Sequence, residues 1–111
     1  MNAKEVKKVI RIAESLGWSL TVQDGEFEFQ KYSPAGQDFN IAITAVSARE
    51  IYNGLKQRCD DYDCSEEAAL WLDESGHGEN GAPHDMKDLY EDMEACKEMM
   101  CELYETLWEV V

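Results

Sequence analysis

Between Trp18 and Thr44 the apolar side chains recur at every second residue, and on both sides of that stretch they recur at every third or fourth. A strand turns successive side chains to opposite faces, whereas a helix returns to one face every 3.6 residues. The change of period therefore calls for a mixed fold, with a block of strands flanked by helices. Trp18, Leu20 and Val22 alternate with Ser19, Thr21 and Gln23. Phe27 and Phe29 alternate with Glu26, Glu28 and Gln30, and Phe39, Ile41 and Ile43 with Asn40, Ala42 and Thr44. Asp24-Gly25 suits a two-residue type I′ turn, which needs positive φ at both central positions. Ser33-Pro34-Ala35-Gly36 makes the next turn. The expectation is a three-stranded antiparallel meander with one buried face.

The flanks carry helix signals. Asn2 with Glu5 forms a capping box, Val6, Val9, Ile10, Ala13 and Leu16 share a face, and Gly17 is a natural stop. Lys4, Lys7, Lys8 and Arg11 lie towards the other side. Ser47 with Glu50 opens a second helix whose stripe is Ala48, Ile51, Tyr52, Leu55, Cys59 and Tyr62. Residues 67–73 are short, apolar and bounded by turn formers, which reads as a fourth strand. A helix is the competing reading there, because alanine and leucine favour it. A glycine-rich loop over residues 74–82 follows, with Pro83 suited to a first helical turn and Asp85 to a cap. The last element is expected as one helix of up to about 27 residues, ~40 Å long. Its stripe is Met86, Leu89, Met93, Cys96, Met100, Leu103, Leu107 and Val110, widened by Tyr90, Tyr104 and Val111. The expected fold is a single α+β domain over residues 1–111, in the order α-β-β-β-α-β-α, with helices packed on an antiparallel sheet.

Charge divides the chain. Among 111 residues there are 10 basic and 24 acidic side chains, a net charge of −14. Residues 1–59 hold seven acids and eight bases, for a net of +1; residues 60–111 hold 17 acids against Lys87 and Lys97, for a net of −15. Such acidity argues against direct binding of nucleic acid or an anionic membrane, since phosphate would meet like charge. Asp88, Glu91, Asp92, Glu94, Glu98, Glu102, Glu105 and Glu109 lie opposite the apolar stripe of the last helix. Together they amount to roughly one charge per 4 Å of axis, against one per ~1.7 Å of duplex DNA. Several are spaced i,i+4, where each like-charge pair destabilises a helix by about 0.2–0.5 kcal/mol. Asp60, Asp61, Asp63, Glu66 and Glu67 form a second candidate row. The first three of these crowd the C-terminal end of the second helix, where the macrodipole disfavours anions. These 13 carboxylates are the candidate partner-binding residues, and their partner would be a protein with a basic surface.

Other chemistries fit less well. The N-terminus has no apolar h-region and no apolar run reaches a membrane span, so a cytoplasmic protein is expected. Cys59, Cys64, Cys96 and Cys101 are then expected as thiols. Gly76-His77-Gly78-Glu79-Asn80-Gly81 matches GxGxxG, but the chain lacks room for a full dinucleotide fold and the neighbouring acids would repel phosphate. Asp73, Ser75, His77 and Glu79 alternate as in a calcium loop, yet His84 stands at the twelfth position in place of a bidentate Glu. Cys59, Cys64, His77 and His84 lack the tight spacing of common zinc sites. Cys96 and Cys101 lie about 140° apart around a helix and do not converge. No cofactor and no metal is expected. With no nucleophile elbow, Walker loop or HExxH, an enzyme is not expected. Met99, Cys101 and Trp108 fall off the main stripe and are candidates for a homodimer seam.

The stretch Leu70-Trp71-Leu72-Asp73 through Gly76-His77-Gly78-Glu79-Asn80-Gly81-Ala82-Pro83, with the acidic helix after it, resembles small proteins of bacterial mobile elements. That resemblance implies no activity. In size and charge the chain is also similar to DNA-mimic inhibitors of the anti-CRISPR and antirestriction kinds. Those groups share no single fold, so the similarity carries over no residue. It does imply a role, which is the blocking of a nucleic-acid-binding partner.

Overall fold

The computed structural model describes residues 1–74 and 85–111, with the backbone alone for 71–74. Its elements are α1 (Ala3–Ser15), β1 (Ser19–Gln23), β2 (Glu26–Tyr32), β3 (Asp38–Thr44), α2 (Ala48–Asp60), α3 (Cys64–Glu74) and α4 (Met86–Leu107), with a 3₁₀ turn over Trp108–Val110. The fold is α+β, and the sheet is the expected meander in the order β1-β2-β3, antiparallel throughout. Asp24 and Gly25 take φ of 51° and 78°, the two positive values of a type I′ turn. Register follows from that turn: Gln23 faces Glu26 and Leu20 faces Phe29. Gly17, at φ 89°, ends α1 in the left-handed conformation a side chain would resist.

The three predicted capping residues act as caps. Glu5 donates its backbone N–H to Asn2 at 2.9 Å, and Glu50 donates its own to Ser47 at 3.2 Å. Asp85 caps α4, accepting from the Asp88 N–H at 2.9 Å. The helix then runs 22 residues and tightens into the 3₁₀ turn, shorter than its apolar pattern alone suggested.

One face of the sheet builds the core. Phe27, Phe29, Ile41 and Ile43 pack against Val9 and Ala13 of α1, Ile51 and Leu55 of α2, and Met100, Leu103 and Leu107 of α4. Each large side chain buried here contributes about 1.5–3 kcal/mol of transfer free energy. Helix α2 lies so close to β3 that a Cβ on Gly54 would stand 3.0 Å from an Ile43 methyl group. A smaller cluster of Ala68, Leu89 and Met93 joins α3 to α4.

The expected fourth strand is a helix. Residues 67–73 belong to α3, which begins earlier, at Cys64. Asp63 starts it, accepting from the N–H groups of Ser65 and Glu66 at 3.0 and 3.1 Å. Glu66 and Glu67 then occupy the first turn, where the macrodipole favours anions. Alanine and leucine follow with no β-branched residue to oppose the helix. The observed order is therefore α-β-β-β-α-α-α.

Candidate functional site

The buried stripe of α4 fixes which way its other side looks. Leu89, Met93, Cys96, Met100, Leu103 and Leu107 are all buried. Glu91, Glu94, Glu98, Glu102 and Glu105 are all exposed, as is Glu109 in the 3₁₀ turn. The five glutamates of α4 fall within an arc about 80° wide, centred opposite the apolar stripe. They form a row of single sign on an edge that the core holds in place.

The basic residues of α4 do little to neutralise this row. Lys87 reaches Glu91 at 3.6 Å, with both side chains largely exposed. Lys97 turns away and donates to the Tyr62 carbonyl at 3.2 Å, near the junction of α2 and α3. Among the described residues, Glu94, Glu98, Glu102, Glu105 and Glu109 take part in no ion pair. Asp88 sits at the margin of the row beside the cap. The negative charge of Asp85 raises its carboxyl pKa, while the Asp88 backbone N–H lowers that of Asp85.

Asp92 leaves the row altogether. It is 5% exposed and accepts hydrogen bonds from the Ser33 hydroxyl at 2.6 Å, the Ala35 N–H at 3.0 Å and the Gln37 side-chain amide. Its role is to hold the β2–β3 turn against α4. The helical period carries the signal, since Asp92 lies about 60° from the centre of the apolar stripe and about 120° from that of the glutamate row.

The second candidate row is divided among structural tasks. Asp60 pairs with Lys56 at 3.3 Å and raises the lysine pKa, through its hydrogen bond first. Asp61 accepts from the Gln57 side-chain amide at 2.7 Å. Asp63 caps α3, and Glu66 and Glu67 fill that helix's first turn. The crowding of acids after α2 is thus relieved, because a new helix starts there. The two rows approach each other near Cys64. Burial raises the pKa of that thiol, Lys97 lowers it, and the charges of Glu94 and Asp63 raise it further. A cavity of about 300 Å³ opens nearby, with Phe39, Arg58, Asp61, Tyr62 and Glu67 in its wall.

The cysteines differ from expectation in one pair. Cys59 and Cys101 are joined as a disulfide between α2 and α4, with their Cα atoms 6.4 Å apart. The angular comparison of Cys96 with Cys101 missed this, because the partner of Cys101 lies on another helix. Cys64 and Cys96 are free. Met99 and Cys101 are half-buried against the core, whereas Trp108 is 56% exposed. The ring of Trp108 lies 5.1 Å from that of Tyr52, with the Arg49 guanidinium 5.9 Å away. Tyr90, expected to widen the apolar stripe, is 38% exposed.

Among the described residues no three His, Cys, Asp or Glu side chains group as metal ligands. The GxGxxG match, His77, His84 and most of the calcium-like loop lie outside the described residues. No described helix is long and apolar enough to cross a membrane. Comparison with family models, with curated proteins and with solved structures gave no match to this chain.

Proposed function

We propose that this chain is a cytoplasmic protein-interaction module, without catalytic activity, that occupies a basic, nucleic-acid-binding surface of a partner protein. Glu91, Glu94, Glu98, Glu102, Glu105 and Glu109 would stand in for backbone phosphates, with Asp88 at the margin. The role would be that of a nucleic-acid mimic of the anti-CRISPR or antirestriction kind. The reading rests on one observation: the row is exposed and of one sign, and Lys97, the base in its midst, is bonded elsewhere. An ordinary solvated helix gains stability by alternating Glu with Lys, and this one forgoes that gain.

Mimicry predicts that binding falls steeply with ionic strength and that nucleic acid competes for the same surface. Affinity capture from a host lysate, eluted along a salt gradient, supplies the partner. A competition titration with duplex DNA and with RNA then tests the mechanism. Displacement by nucleic acid is the expected result. A captured complex that survives about 0.5 M salt untouched would rule electrostatic mimicry out.

A second reading has an observation of its own. Exposed Trp108, with Tyr52 and Arg49 beside its ring, has the composition of an interface anchor. In that reading the chain is a scaffold or homodimer, and the acidic face serves solubility alone. Light scattering at low and high salt separates the two, because an apolar dimer persists as salt rises.

A further inference from the structure

Strand β3 is an edge of the sheet, paired with β2 on one side alone. In an antiparallel pair, residues bonded to the neighbouring strand alternate with residues whose N–H and C=O point away from it. Two bonds fix the phase here. Ala45 donates its N–H to the Gly25 carbonyl at 2.9 Å, and Ser33 donates its own to the Gln37 carbonyl at 2.8 Å. Phe39, Ile41 and Ile43 therefore bond to β2, opposite Lys31, Phe29 and Phe27. Asp38, Asn40, Ala42 and Thr44 turn their backbone groups to the free edge, and all four are exposed. Arg58 of α2 donates to the Ala42 carbonyl at 3.0 Å, as this phase requires. Among the described residues that is the one hydrogen bond made to the edge. An edge left in this state is a template for another strand.

The cavity of about 300 Å³ adjoins the same edge. Phe39 and Ile41 reach it from β3, and Arg58, Asp61, Tyr62 and Glu67 stand in its remaining wall. The Phe39 and Tyr62 rings meet edge to face, with centroids 6.0 Å apart. Asp61 holds the Gln57 amide, and the Glu67 side chain has no partner among the described residues. A strand laid along β3 sends every second side chain to the face of Phe39 and Ile41, beside this cavity. Its other side chains share the exposed face with Asn40 and Ala42.

We propose that β3 takes up an extended peptide of a partner protein as a fourth strand. The Asn40 N–H and C=O and the Ala42 N–H supply the ladder, while Arg58 keeps the Ala42 carbonyl. Apolar side chains at alternate positions fill the cavity, and a lysine or arginine meets Asp61 and Glu67. Main-chain bonds hold such a peptide and the cavity reads its side chains. Charge selects the occupant. With a net charge of −14, a second copy of the chain meets repulsion, whereas a cationic segment meets attraction. None of the α4 glutamates lines this cavity, so the surface stands apart from the proposed mimicry.

The test titrates acetyl-Lys-Val-Thr-Val-Thr-Val-Lys-amide into the full chain and follows amide exchange by NMR. In the free chain the Asn40 and Ala42 N–H should exchange fast and the Ile41 N–H slowly. The peptide should protect the first two. Protection of both in the free chain overturns the proposal, because the edge is then covered already, and protection that grows with chain concentration assigns the cover to a second copy. Absence of binding, or binding that leaves both amides unchanged, overturns it as well. Asn40→Pro removes an outward N–H and spares the bonds to β2, so the peptide should bind about tenfold more weakly. Asp61→Asn with Glu67→Gln leaves the strand untouched and should weaken binding several-fold at low salt. Wild-type affinity in both variants overturns the proposal. Finally, the peptide is N-methylated at one or the other alternating set of amides. Loss of binding with one set alone is expected, and equal loss with both means that no strand is added.

Discussion

Helices α2 and α4 pack against the same core, and their outer faces are built on opposite plans. On α2 the charges find partners close by. Lys56 pairs with Asp60, Gln57 reaches Asp61, and Arg58 donates to the Ala42 carbonyl on the edge strand β3 at 3.0 Å. On α4 the glutamates repeat with one sign, and Lys97 is bonded to a different segment. The inward faces show no such contrast, since Ile51 and Leu55 of α2 and Leu103 and Leu107 of α4 are almost wholly buried. Folding therefore constrains the inner faces alike. The outer face of α4 departs from what would stabilise it, and a surface with a use beyond folding is the reading this difference favours.

The largest expected effect breaks the half of the comparison that the helices share. Leu103→Ala should cost about 2–5 kcal/mol through lost burial and a residual cavity. Urea unfolding measures it, and a loss below ~1 kcal/mol would mean that α4 is not part of the common core. Next comes Asp92→Ala, which strands the Ser33 hydroxyl and the Gln37 amide together. About 2–3 kcal/mol should be lost, with a Glu98→Ala control near zero. Equal effects from the two would return Asp92 to the exposed row.

Alkaline pH separates the inside of α4 from its outside. The folded-state thiol of Cys96 is raised to about 12 from 9.0, mainly by burial. Above pH 9 the unfolded chain gives up this proton while the folded chain keeps it. Stability should accordingly fall as pH rises from about 9 to 12, and Cys96→Ala should make that slope shallower. The smallest effect has the most diagnostic sign. Replacing Glu94, Glu98 and Glu102 with Gln removes two like-charge i,i+4 pairs and should raise stability by a few tenths of a kcal/mol per pair. Asp60→Asn on α2 should lower it slightly, through loss of the Lys56 pair. If both changes act in one direction, the contrast between the two outer faces is not electrostatic.

Much of the fold was legible along the chain because its signals are local. Asp24-Gly25 and the period of two place the meander, and Asn2, Ser47 and Asp85 mark helix starts through their own backbone bonds. Helix α3 was misread because its start lies at Asp63, amid acids that look like an unfavourable end to α2. The same carboxylate serves as a cap once a second helix begins there. The exposed row on α4 follows from periodicity alone. The withdrawal of Asp92 depends on a turn formed by residues 33–37, and the pairing of Cys59 with Cys101 on the packing of two helices. The helical period shows that Asp92 stands off the exposed row, but in neither case is the partner visible from the residue's own segment.

The bonds that Asp92 makes join residues 55 to 59 positions apart. That separation has a consequence for the order of events in folding. The meander can pair through its own hairpins soon after it leaves the ribosome, since hairpin closure takes only about 1–10 μs. Its second turn must then wait for more than fifty further residues of synthesis before the carboxylate that completes it arrives. Until then the Ser33 hydroxyl and the Gln37 amide are served by water, and the sheet tip stays open. Completion of the turn and docking of α4 thus become one late step. A tryptophan or hydrogen-exchange probe near residues 33–37 should report the arrival of the last helix.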